Sequence, residues 1–298
     1  MLCGLLAALV LWSRGPAQPS YNGRTLESWL QTYSRPPSFG EKAEHDEAEA
    51  AIRQIGTNAI PFLLNWIAEP RPWRIKFALT LDRLPGPIAQ RLGRLRQVVY
   101  DGQMWRACAA ADGFHSLGQN ATSAIPRLVE IANSTRSTIP PHYAINALGS
   151  LGPQAIEPLA AMVRDARHAN RTLAVDSLSQ ILHSMPDPSK TAPMITQFVH
   201  DKDSSVATAA LACLPALADG EASLTATRAA AESLASTNRG IRFAATQALL
   251  FMPSNAPIAV PALLQALKDK DADVREGALV ALYRIAPQVL TNSVPAGL

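Results

Sequence analysis

An all-α repeat protein is the fold class this sequence predicts, and three observations predict it. An acidic motif returns at a fixed interval, prolines stand at the start of apolar helical patterns, and no stretch alternates strictly between polar and apolar residues as a half-buried strand would. The 298 residues are 48% hydrophobic and 17% charged, so the chain buries enough apolar surface to offset its ordering entropy, and disorder is excluded. Three cysteines exclude a disulfide scaffold, and glycine without a strict third-position period excludes collagen. A net charge of +3 is too small to announce nucleic acid as a partner.

At the N-terminus, Leu2 to Trp12 is apolar apart from Gly4 and is followed by Gly15 and Ala17, which fit a small-x-small cleavage site. The run is about half the roughly 20 residues a spanning helix needs. It reads as a secretory segment, residues 1–17, acting as a signal peptide or an uncleaved anchor although no basic residue precedes it. Secreted or periplasmic localisation is therefore expected. Residues 18–42 read as an N-terminal capping helix and linker, with Thr25 as N-cap and Trp29 and Leu30 facing inward. Cys108 and Cys213 lie among Ala and Leu on helical patterns and read as small buried hydrophobes.

The repeat itself occupies residues 43–290, followed by a tail, 291–298. Asp201-Lys202-Asp203-Ser204-Ser205-Val206 recurs 68 residues later as Asp269-Lys270-Asp271-Ala272-Asp273-Val274, and Gly118 and Gly152 close similar segments 34 residues apart. One unit is thus about 34 residues. A second marker is apolar-Pro-x-apolar-apolar at Ile60-Pro61, Ile125-Pro126 and Val260-Pro261, with Ala192-Pro193 a looser copy. Proline suits a helix's first turn, where its missing N–H has no intrahelical partner to lose. A third marker opens the other helix: Ile241-Arg242-Phe243-Ala244-Ala245 and Val274-Arg275-Glu276-Gly277-Ala278. Gly56, Gly118 and Gly152 follow the last apolar residue of first helices, where a positive φ is wanted. Met185-Pro186-Asp187-Pro188 and Met252-Pro253-Ser254 replace that glycine turn elsewhere.

These residues resemble the HEAT repeat, in particular the short bacterial form of the phycobilisome-lyase type, most closely at 51–66, 144–162 and 269–285. The resemblance implies a right-handed α-solenoid, a superhelix of helix pairs whose second helices line the concave face. Polar positions there include Arg127, Glu130, Glu157 and Arg164. Their mixed signs suit a protein or peptide better than a polyanion.

Residues 69–106 depart from the period and form an irregular unit. Arg71, Arg74, Lys76, Arg83, Arg91, Arg94, Arg96 and Arg106 crowd there with Trp73, Tyr100 and Trp105. Arginine beside aromatics is used at protein hot spots and on anionic polymers alike. The candidate interface is therefore Trp73, Arg74, Arg91, Arg94, Arg96, Trp105, Arg127, Glu130, Glu157 and Arg164.

Chemistry-bearing patterns are absent from the sequence. The six histidines are scattered singly, with no His-Glu pair of the kind that resembling hydroxylases use to hold iron, and there is no P-loop, Gly-x-Ser-x-Gly or Cys-x-x-Cys. The expectation is a non-catalytic scaffold with no cofactor, no metal and a protein partner, with self-association possible in principle through an exposed C-terminal edge. The alternatives are a binder of nucleic acid or acidic polysaccharide through the Arg/Trp segment, and a lyase-related HEAT enzyme.

Overall fold

The computed structural model describes residues 17–35, 42–68, 86–134 and 139–293, with side chains placed throughout except at 86–100 and 291–293. The chain is an all-α solenoid that divides into two units, Met1–Ala147 and Leu148–Leu298.

The first unit opens with a two-residue antiparallel pairing, β1 (Ser20–Tyr21) with β2 (Arg24–Thr25), which the search for alternation does not reveal. Asn22 and Gly23 hold φ of 47° and 75°, the left-handed values a two-residue hairpin requires. Helix α1 (Leu26–Tyr33) follows, with the Thr25 hydroxyl accepting from the Ser28 N–H at 3.3 Å as a helix cap. Trp29 and Leu30 are buried, as expected, and the Trp29 indole N–H donates to the Tyr21 carbonyl at 3.1 Å. Helix α1 packs on α2 (Lys42–Ile55), and α3 (Ile60–Ile67) packs on the long α4 (Gly86–Leu117). Gly113 permits that last contact, since a Cβ there would stand 2.8 Å from Leu63 Cδ2. Arg106 of α4 bonds Glu27 of α1 at 3.0 Å, tying the long helix to the cap. Helix α5 (Ile125–Ala132) starts with Pro126 in its first turn, and α6 (His142–Gly149) carries the junction.

The second unit alternates two kinds of helix. Helices α8 (Arg171–Ser184), α10 (Ser204–Cys213), α12 (Arg239–Leu250) and α14 (Ala272–Ile285) pack side by side in one row. Helices α9 (Ala192–Val199), α11 (Ser223–Ser233) and α13 (Ala256–Ala266) form the second row, and α7 (Ile156–Arg164) packs on α8. Between α12 and α13 the chain bends by 95°. The apolar positions at helical spacing, such as Val274, Ala278, Ala281 and Leu282, all lie in the core between the rows.

The glycine turns behave as expected: Gly56, Gly118 and Gly152 have φ of 59°, 52° and 84°. Where Met185 and Met252 replace glycine the backbone stays at negative φ, −84° and −125°, so no glycine is needed. Two expectations need correction. Pro261 does not start a helix; α13 begins at Ala256, uses Pro257 in its first turn and carries Pro261 inside. Cys108 is exposed, because Ala107, Ala109 and Ala110 take the buried face of α4. The C-terminal residues form a short second helix, α15 (Pro287–Ser293), packed on α14. Cys213 is buried as expected, and burial pushes its thiol up to about 12. No single described helix is long and apolar enough to cross a membrane. Residues 1–16, with the expected secretory segment, lie outside the described residues.

Candidate functional site

The seam between successive units is built from an arginine at the start of one first helix and an acidic turn at the start of the next. Arg171, the first residue of α8, donates to both carboxylate oxygens of Asp201, one at 3.1 Å, and its Nε reaches the Val163 carbonyl at 2.7 Å. Two helices later the pattern returns with more members. Arg239, the first residue of α12, bonds Asp271 at 2.8 Å and also Asp273. Arg242, three residues on, grips Asp269 with two parallel bonds of 2.7 and 3.0 Å, the bidentate geometry that makes arginine–carboxylate pairs strong.

The acidic turns are themselves rigid. Asp203, Asn238 and Asp271 cap their helices, each accepting from a backbone N–H two residues ahead. Arg242 is 5% exposed, and its remaining N–H donates to the carbonyls of Ser236 and Thr237 at 3.0 and 3.2 Å. Nε, Nη1 and Nη2 each thereby have an acceptor, as a buried charge requires. The hydrogen bonds from Arg242 hold the Asp269 carboxyl below the usual carboxylate range, although burial opposes them. At Asp201 burial pushes up, but the bonds from Arg171 prevail and the carboxyl ends lower than usual.

The last first helix, α14, repeats the donor half of this seam without an acceptor among the described residues. Arg275 stands where Arg242 stands in α12, three residues before a buried Ala that follows the same helix entry, and its Nη1 donates to the Asp269 carbonyl at 2.7 Å just as Arg242 donates to Ser236. Four residues on, Thr246 of α12 faces Gly277 of α14, whose Cβ, if present, would stand 2.3 Å from Thr246 Oγ1. The corresponding residue of α14 is Leu279, 48% exposed.

Around that edge lies a second feature. Among the described residues seven large apolar side chains are exposed, and five of them, Phe243, Phe251, Leu279, Val280 and Tyr283, belong to α12 and α14 or the turn after α12. Arg284 lies over the Phe251 ring at 4.8 Å, so the patch has a cationic rim. On the other row, α11 and α13 enclose a groove of about 390 Å³ lined by Ala231, Leu234, Ala262, Gln265 and Lys268 among others.

Half of the residues expected from sequence can be placed among the described residues. Arg127 pairs with Glu130 at 2.5 Å and Arg164 with Glu157 at 2.6 Å, all four well exposed, which makes them solvated surface pairs of small energetic weight. Trp105 is half-buried in the middle of α4. Trp73, Arg74 and the side chains of Arg91, Arg94 and Arg96 lie outside the described residues. Arg106, from the same segment, is committed to Glu27. Sequence reasoning missed these exposed side chains: Phe243 figures there only within the Ile241-to-Ala245 marker, and nothing in the sequence singles out Phe251, Leu279 or Val280. Among the described residues no cluster of three His, Cys, Asp or Glu side chains could hold a metal ion.

Residues 259–289 match the HEAT repeat family model. The chain carries a HEAT repeat. That repeat holds α14 entire, most of α13, and the open seam with Arg275 and Leu279. No curated protein matches the chain. Among solved structures the chain is similar to an engineered protein from a structural genomics consortium at 19% identity, covering 63% of this chain and 91% of that one with a TM-score of 0.45. It is similar also to a computationally designed armadillo repeat protein for modular peptide recognition, 16% identical over 65% of this chain and 97% of that one, TM-score 0.44. A designed armadillo repeat protein in complex with the peptide (KR)4 is 16% identical over 87% of this chain and 99% of that one, TM-score 0.32.

Proposed function

We propose that this HEAT-repeat chain, of the short bacterial form, is a non-catalytic scaffold that binds another protein. The single observation that carries the reading is the concentration of exposed apolar side chains on neighbouring first helices: Phe243, Phe251, Leu279, Val280 and Tyr283. Exposed aromatic and aliphatic side chains on neighbouring helices, with an arginine beside one of the rings, are the residue types of protein interfaces, because aromatics supply buried area at low entropic cost and their removal from water drives association. Mixed-charge pairs such as Arg127–Glu130 elsewhere on the surface suit a protein better than a polyanion. Export through the N-terminal segment belongs to the same proposal, and sequencing the N-terminus of the protein recovered outside the cytoplasm would check it.

The test is site-directed crosslinking. A photoreactive residue at Val280 captures a discrete protein in extract of the source organism that survives nuclease and high salt. Phe251→Ser with Tyr283→Ser abolishes that capture while the fold is kept. Capture that is indifferent to both substitutions, or that is lost to nuclease, would contradict the reading.

A further inference from the structure

We propose that the open edge of α14 receives an acidic helix-entry turn from a partner protein, an Asp-x-Asp segment leading into a helix. The proposal deepens the protein-binding reading above and rests on it. The molecule itself shows what fits such an edge. Arg171 takes Asp201, Arg239 takes Asp271 and Asp273, and Arg242 takes Asp269, so every other described seam of the second unit that begins with arginine closes on a carboxylate at a helix start. Arg275 has the register, the backbone anchor at Asp269 and the exposure of an arginine awaiting that carboxylate.

Steric fit points the same way. Thr246, four residues after Arg242, meets a glycine in the following helix with no room for a side chain. Leu279, four residues after Arg275, offers an apolar knob at the corresponding place. A partner helix presenting a small residue one to two turns after its acidic turn would cover Leu279 as its carboxylates met Arg275. The docked surface would combine one charge-assisted pair with apolar burial, the balance that gives orientation and affinity together.

A second copy of this chain is the less suitable occupant. Its matching acidic turns, at Asp201 and at Asp269 to Asp273, already accept from Arg171, Arg239 and Arg242. At the other end of the chain α1 already packs on the first repeat helix, α2.

The experiment uses the full chain and a fluorescent probe peptide of residues 267–286, which carries the acidic turn and Gly277, held helical by a staple between positions 276 and 280. Fluorescence anisotropy should give saturable binding that weakens at least about tenfold in Arg275→Glu, the scale of one well-formed charge pair. Binding should return when a probe with Asp269→Arg and Asp271→Arg meets the Arg275→Glu chain. Circular dichroism and thermal melting of Arg275→Glu, unchanged from the wild type, show that the fold survives. Equal binding by wild type and Arg275→Glu, or no saturable binding, would overturn the proposal. Concentration-dependent dimerisation of the chain alone that Arg275→Glu abolishes would assign the edge to a second copy and overturn it too. If the peptide fails while capture at Val280 still depends on Phe251 and Tyr283, only this inference falls and the protein-binding reading stands.

Discussion

Arg242 and Arg275 occupy the same register in successive helices of one row, yet one is 5% exposed and doubly bonded to a carboxylate while the other lies open with a single bond to a backbone carbonyl. Thr246 and Leu279 repeat the contrast four residues on, the first against Gly277 and the second exposed. Identical local sequence logic therefore produces a closed seam at Arg242 and, among the described residues, an arginine at Arg275 that no carboxylate meets. In a solenoid each unit contacts only its neighbours, so an end is either capped or left as a template for the next contact. Here α1 packs on α2 with its own Trp29 and Leu30 buried, and α14, the last of its row among the described residues, keeps Arg275 exposed.

The sharpest way to break this comparison is to remove each arginine in turn. Arg242→Ala leaves Asp269 without its bidentate partner and the Ser236 and Thr237 carbonyls without a donor, and should cost about 1.5 to 3 kcal/mol in urea unfolding. Arg275→Ala should change stability by less than about 0.5 kcal/mol, as surface substitutions away from buried features do. Equal costs would erase the distinction between the two seams.

Next in size is the steric half of the seam. Gly277→Ala places a methyl group against Thr246 Oγ1 and should cost about 1 to 3 kcal/mol through forced displacement of α12 from α14, read as a fall in Tm. Gly113→Ala in the first unit should behave comparably, since its methyl would meet the Leu63 and Leu30 side chains.

Acid dependence sharpens the electrostatic half. The Asp269 and Asp201 carboxyls titrate below their ordinary value in the folded state. The stability they contribute is therefore complete above the unfolded carboxylate value of about 4 and is lost as pH falls through the lower folded values. Stability should drop below about pH 4, and Asp269→Asn should be less stable at pH 7 but lose less on acidification. A variant whose acid loss matched that of the wild type would show that Asp269 is not part of the seam's energetics.

The smallest expected effect is on the patch. Tyr283→Ser should alter stability by less than about 0.5 kcal/mol, because its ring is 72% exposed, and Phe251→Ser, which removes a ring half-buried under Arg284, by about 1 kcal/mol at most. A larger loss would make them structural residues and weaken the interface reading.

What the sequence disclosed and what it withheld divide along the range of the interactions concerned. Gly56, Gly118 and Gly152, the Thr25 cap and Pro126 in the first turn of α5 were legible because each acts within a few residues of itself. Pro261 misled because the apolar-Pro pattern at Val260 matches the true starts, while the local competitor Pro257 sits four residues earlier. The seams were illegible for the opposite reason: Arg171 to Asp201 and Arg242 to Asp269 join residues about one repeat apart, and the repetition of Asp-Lys-Asp marks the acceptors without naming the donors. The exposed side chains were hidden because α12 and α14 are apolar on more than one face: Leu279 and Val280 stand between the buried Ala278 and Ala281. Only the position of the adjacent helix separates core from surface there.

The most direct test of the open seam is thiol labelling in a Cys3→Ser, Cys108→Ser background, where the remaining Cys213 is buried, comparing Thr246→Cys with Leu279→Cys. A closed seam and an open one predict that the thiol at 246 is strongly protected while the thiol at 279 reacts at nearly the rate of an unstructured cysteine. Equal protection at the two positions in the monomeric chain would mean that the edge of α14 is already covered, and would contradict the reading of α14 as a binding edge.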